Sequence, residues 1–139
     1  MSNHIETTEN KALVQASFDR WRAGTGSPFE LLAHEAEWTI VGSSPLSKTY
    51  SRQAFLDEVI HPFNARMATP LVPTVRGLYG DGDVVIILFD AAATTRDGTP
   101  YRNTYTWYFR MKDNMVVSAI AFFDTREFDE FWNRVSPAK

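Results

Sequence analysis

The chain contains no cysteine in 139 residues. That excludes disulfides, thiol nucleophiles and cysteine-ligated zinc together. It also lacks any basic run. Lys and Arg number 14 against 17 Asp and Glu, a formal net charge of −3, which makes a poor nucleic-acid binder. Long hydrophobic runs are missing: the longest, Val84 to Phe89, falls far short of the roughly 20 residues that cross a bilayer. The segment MSNHIETTEN has neither the basic nor the apolar region of a secretory signal. The expectation is a cytoplasmic protein that engages no membrane and no nucleic acid. Sharp catalytic motifs are absent as well. His34-Glu35 has no second histidine one turn on, and Gly24-Thr25-Gly26 lacks the third glycine of a dinucleotide loop. There is no Walker loop and no Gly-x-Ser-x-Gly elbow. Asp81-Gly82-Asp83 lacks the ligand pattern of a calcium loop and reads as a turn. The histidines at 4, 34 and 61 are scattered, with no carboxylate at ligand spacing. No metal site and no cofactor is therefore expected.

What the chain has in quantity is aromatic surface. Phe, Tyr and Trp make up 14% of it, with 10, 5 and 4 copies. That much ring area fills a core, covers an interface or lines a pocket for an apolar ligand.

The patterning predicts an α+β fold of one domain over residues 1–139, with residues 1–8 expected as a disordered tail. A helix is predicted from Glu9 to Ala23, because Val14, Phe18 and Trp21 recur on one stripe and Gly24 supplies a stop. Ser27-Pro28-Phe29-Glu30 reads as a capping box that starts a second short helix ending near His34. Glu37 to Val41 reads as a strand and Gly42 to Lys48 as a loop. A third helix is predicted from Ser51, with Tyr50 and Phe55 as a hydrophobic staple and Pro62 as a kink or break. Four β-rich runs follow, Leu71–Tyr79, Val84–Thr95, Tyr101–Met111 and Met115–Phe123, separated by turn residues. They predict a curved antiparallel sheet with helices against its concave face and a cone-shaped cavity between them. A short terminal helix, Glu127 to Val135, follows Asp124 at capping-box spacing.

Candidate chemistry rests on polar residues within apolar strands. Asn103, Tyr105 and Trp107 share one face of their strand, and Asp124 shares a face of the next with Ile120 and Phe122. If the two faces coincide, Asp124 lines an apolar cavity with Trp38, Phe55, Asn103, Tyr105, Trp107 and Phe122. Desolvation there would raise its pKa and poise it as an acid or base. Asn103 and Tyr105 could donate hydrogen bonds to a substrate oxygen. His61, Phe63 and Asp90 complete the candidate binding set. Each residue also has a plain structural role. Asp124 can cap the terminal helix, Asp90 can mark where its strand reaches solvent, and Asn103 can satisfy edge backbone groups. Tyr105 and Trp107 can be core, and His61 can be a helix-end residue.

Three segments carry a family resemblance: Trp38-Thr39-Ile40-Val41-Gly42-Ser43-Ser44-Pro45 ahead of a helix with Phe55, Tyr101-x-Asn103-x-Tyr105-x-Trp107-x-Phe109-Arg110, and Phe122-Phe123-Asp124-Thr125. With the order of elements, the chain from about Asn10 to Val135 resembles the nuclear transport factor 2-like superfamily, in its SnoaL-like and ketosteroid-isomerase-like branch. The resemblance implies a cone-shaped α+β barrel with a deep pocket, commonly dimeric, and a range of activities from isomerases and cyclases to non-catalytic binders. It also implies departures. The isomerase general base matches Thr39, and its two oxyanion-hole positions fall near Trp107 and Ala16. The Arg-x-Asp motif of limonene-type epoxide hydrolases falls near Tyr105 and Trp107. Asp124 resembles the acid/base aspartate of SnoaL-type cyclases. The expected function is binding of a small hydrophobic, oxygenated molecule, with cofactor-free acid/base chemistry by Asp124, Tyr105 and Asn103 as one outcome. A non-catalytic ligand-binding or protein-interaction module is the other. A homodimer is expected on the outer sheet face, where residues such as Tyr108 and Phe123 would otherwise be exposed.

Overall fold

A computed structural model describes residues 4–138. Helix α1 spans His4–Ala23 and buries Val14 and Phe18 completely. It ends where Gly24 takes φ +78°, a left-handed cap that residues with a Cβ adopt rarely. Residues 4–8, expected as tail, form its first turns, and residues 1–3 lie outside the described residues. The Ser27 capping box is present in full but closes a 3₁₀ turn, Pro28–Leu31, not a helix reaching His34. Strand β1 begins at once, Leu32–Ile40. Three residues just beyond the predicted loop pair back onto it as β2, Thr49–Ser51, with Tyr50 opposite Trp38.

Ser51 caps the next helical run through Ala54 N–H. That run proceeds as α2, Arg52–Phe55, then π-helical turns, Leu56–Ile60, then α3, His61–Asn64. The backbone does not break at Pro62. The His61 N–H reaches back to Leu56 O, and this widening admits a proline that has no N–H to return to Glu58.

The meander is β3, Val72–Asp81, β4, Val84–Thr94, β5, Pro100–Lys112, and β6, Met115–Phe123. The sheet order is β2-β1-β6-β5-β4-β3. Within it β1 lies parallel to β6, so the sheet is mixed where a purely antiparallel one was expected. The meander leaves one edge of β6 unpaired, and β1, far away in sequence, fills it. The β5–β6 turn places Asp113 and Asn114 at φ +51° and +66°, the left-handed pair of a tight hairpin. Helix α4, Thr125–Arg134, closes the chain. The main core lies between the concave sheet face and α1–α3. A second cluster of Phe63, Tyr101, Phe128, Phe131 and Val135 fixes α3 and α4 to the end of β5. Among the described residues no helix is long and apolar enough to cross a membrane.

Candidate functional site

The sheet curves away from the helices and leaves a cavity of about 620 Å³. Its floor comes from alternate residues of the central strands: Trp38 and Ile40 on β1, Tyr105 and Trp107 on β5, and Ala121 and Phe123 on β6. Its roof comes from Trp21, Phe29, the π-helical turns and the 67–71 segment. The rings brace one another. Trp38 stacks on Phe55 with centroids 4.3 Å apart and meets Trp107 edge-on at 4.9 Å. Trp21 lies parallel to Trp107 at 5.9 Å. Small Ala121 opposite Trp107 leaves room for that packing. No Asp, Glu, Lys or Arg lines the cavity.

At the floor a buried polar network enters. The Asn103 Oδ1 accepts from Thr104 N at 2.8 Å and Asp124 N at 3.1 Å. Its Nδ2 donates to Asp124 O at 3.0 Å and to Tyr101 Oη at 2.9 Å. Tyr101 Oη and Tyr105 Oη are 2.7 Å apart. Burial pushes the Tyr101 phenol up to about 12 and the Tyr105 phenol well above its usual 10, so both stay protonated at any physiological pH. The indole N–H groups of Trp38 and Trp107 have no protein acceptor among the described residues, and neither nitrogen is a sealed, unpartnered atom. At the mouth, His61 Nδ1 lies 3.7 Å from Asp57 Oδ1, both side chains exposed. Among the described residues no group of three or more His, Asp or Glu gathers at metal spacing.

No protein-family profile and no curated protein matches the sequence. Solved structures do match the fold. Bal32a, from a soil-derived mobile gene cassette, superposes with a TM-score of 0.74 at 20% identity, over 91% of this chain and 98% of that one. An NTF2-like protein from Burkholderia thailandensis gives 0.69 at 20% identity, over 88% and 95%. The fold is NTF2-like. A protein from Jannaschia sp. CCS1, assigned as a SnoaL-like polyketide cyclase, gives 0.70 at 13% identity, over 92% and 94%.

The NTF2-like cavity gathers six of the ten sequence-predicted residues: Trp38, Phe55, His61, Phe63, Tyr105 and Trp107. Asn103 lies beneath it, 7% exposed, and reaches it only through the tyrosines. Three predicted residues lie elsewhere. Asp124 is exposed, and its Oδ1 caps α4 by accepting from Arg126 N and Glu127 N. Asp90 is on the outer sheet face, where it accepts from Thr104 Oγ1 at 2.7 Å and faces Arg76 at 3.5 Å. Phe122 is also outside, 49% exposed, against the Tyr108 ring. Phe123, expected on the outer face, points inward onto Tyr105. The cause is one extra residue in β6. The turn pairs Lys112 with Met115 and Met111 with Val116, but Arg110 pairs with Ser118. The bulge at Val117 shifts all later pairs by one, so Tyr105 faces Phe123 and Trp107 faces Ala121. Every side chain of β6 beyond it therefore exchanges faces.

Sequence reasoning also passed over part of the NTF2-like cavity wall. Tyr101, which lies behind that wall in the floor network, has the same parity as Asn103, Tyr105 and Trp107, and that parity was a sufficient signal for it. Phe29 and Trp21 were recognised only as helix residues. The π-helical contribution of Val59 and Ile60 follows from a widened helix that no composition cue marks.

Proposed function

We propose that this chain binds a small, neutral, hydrophobic and oxygen-bearing molecule in the aromatic cavity. The observation that carries the reading is the cavity itself. Its volume of about 620 Å³ is within the roughly 300–1,000 Å³ range of small-molecule sites. Its walls are mostly rings and aliphatics, with Ser27, His61, Asn64 and Thr69 as polar side chains and no Asp, Glu, Lys or Arg, so an ion inside would lose its hydration without gaining a fixed counter-charge. The polyketide-cyclase assignment of the Jannaschia protein supports a ligand built on an oxygenated carbon skeleton. Binding without turnover is the first reading, because the carboxylate with the best resemblance to a catalyst, Asp124, is engaged as a helix cap. Acid/base turnover is the second. Its proton carrier would be His61, which lines the mouth with Asp57 beside it. We further propose a homodimer through the outer sheet face, where Ile120 is 43% and Phe122 49% exposed.

The test is a titration with Nile red, a neutral apolar fluorophore. One saturable site with a blue-shifted emission is expected, and Leu56→Trp, which projects a ring from the roof, should weaken it at least tenfold. Unsaturable or wholly absent binding would overturn the reading.

A further inference from the structure

We infer that Asn103 and Tyr101 fix the proton order of the floor network so that Tyr105 presents only a donor to the cavity, and that the ligand is therefore a neutral ketone or quinone whose carbonyl oxygen accepts from Tyr105. The inference rests on the cavity reading above and specifies its ligand class.

Asn103 has a determined orientation. Its Oδ1 faces two backbone N–H groups, Thr104 and Asp124, which can only donate. Its Nδ2 faces Asp124 O, which can only accept. The second Nδ2 hydrogen must then go to Tyr101 Oη. Tyr101 is fully buried, and its own hydrogen needs an acceptor. Among the described residues the oxygen available is Tyr105 Oη, 2.7 Å away. Tyr101 therefore donates and Tyr105 accepts. The Tyr105 hydrogen cannot turn back along the chain, and Tyr105 is the tyrosine of the pair that lines the cavity. Each link polarises the next and strengthens the last donor. The open indole N–H groups of Trp38 and Trp107 make the same wall richer in donors. An alcohol could accept from Tyr105, but its own hydrogen would need an acceptor on the wall beside Tyr105, where Trp38 and Trp107 offer only N–H donors. A carboxylate would meet no Lys or Arg. A carbonyl oxygen accepts, donates nothing and carries no charge. Asn103 and Tyr101 are positioning residues in this scheme, and Tyr105 is the contact.

Three naphthalenes test it on the whole chain: acetonaphthone, isopropylnaphthalene of nearly the same shape, and naphthoate. Calorimetry should show the ketone and the hydrocarbon binding and the anion failing. Tyr105→Phe should lower ketone affinity roughly tenfold or more while leaving the hydrocarbon within about twofold. The isotope-edited infrared spectrum of the bound ketone should show its carbonyl stretch at lower wavenumber than in hexane, and Tyr105→Phe should abolish that shift. Asn103→Asp supplies the test of order. An ionised carboxylate would accept from Tyr101, Tyr101 would then accept from Tyr105, and the shift should disappear with the phenol still in place. Should Asn103→Asp fail to fold, Tyr105→Phe still decides the assignment. A Tyr105→Phe protein that keeps the full shift, or the same ketone-to-hydrocarbon ratio, overturns the inference and leaves the cavity reading standing. Failure of both ketone and hydrocarbon to bind overturns the two together.

Discussion

Replacing Asp124 by alanine separates a structural carboxylate from a chemical one. Its Oδ1 accepts from Arg126 N at 3.1 Å and Glu127 N at 3.2 Å, the first amides of α4. Removing an N-cap of this type costs about 1 kcal/mol, within a range of about 0.5–2. A negative charge beside a helix N-terminus adds about 0.3–1 kcal/mol at an exposed site. The sum, about 1–2.5 kcal/mol, falls on a helix whose Phe128 and Phe131 anchor the second cluster, so fraying loosens Phe63 and the cavity rim as well. Unfolding entropy of about 2.1 cal/mol/K per residue makes 1 kcal/mol worth about 3 °C for a chain of this length. Scanning calorimetry should therefore show Tm about 3–8 °C lower for Asp124→Ala. Asp124→Asn keeps the acceptor and loses only the charge, so its Tm should fall by about 1–3 °C. Nile red affinity should stay within about twofold for the asparagine variant, because the carboxylate is outside the cavity. An asparagine variant with near-parental Tm that loses ligand binding or turnover would refute the cap assignment and return Asp124 to the site.

Three further outcomes are expected. Stability should be flat from about pH 8 to 10 and fall above 10. The unfolded tyrosines ionise near 10, whereas burial holds Tyr101 near 12 and Tyr105 higher, so the unfolded state sheds protons first. Each such tyrosine contributes a slope of up to about 1.4 kcal/mol per pH unit, and urea midpoints for Tyr101→Phe should show a shallower decline. Leu56→Trp should leave Tm unchanged or raised, since the new ring enters open space and not packed core; a Tm loss above about 5 °C would show the cavity to be collapsed in solution. Light scattering should return twice the 15.8 kDa chain mass, reduced to one chain by Phe122→Glu; a monomer in the parent protein would reject the dimer.

The helix stripe of Val14, Phe18 and Trp21, the Ser27 and Ser51 caps and the three hairpins were legible because each is a local signal. So was the shared face of Asn103, Tyr105 and Trp107, since parity within one strand needs no partner. The relation between β5 and β6 was not. It depends on Val117, a residue whose side chain carries no mark of a bulge, and whose omission would pair Tyr105 with Phe122 and Asn103 with Asp124. Apolar alternation gave no correction either. The inward residues of this strand are the small Ala119 and Ala121, while large Ile120 and Phe122 point out. The neighbouring Trp107 explains the inversion, because its ring occupies the space that a large β6 side chain would need. The parallel pairing of β1 with β6 was similarly non-local, with no turn to announce it.

The ring brace around Trp107 has an optical consequence. Trp38 and Trp21 sit 4.9 and 5.9 Å from it, one perpendicular and one parallel. Transition dipoles that close couple, so the three indoles absorb as one chiral chromophore, and excitation migrates among them before emission. A guest that rotates any one ring changes the circular dichroism of all three. The protein thus reports occupancy of its own interior, with no label attached and no thiol to attach one to.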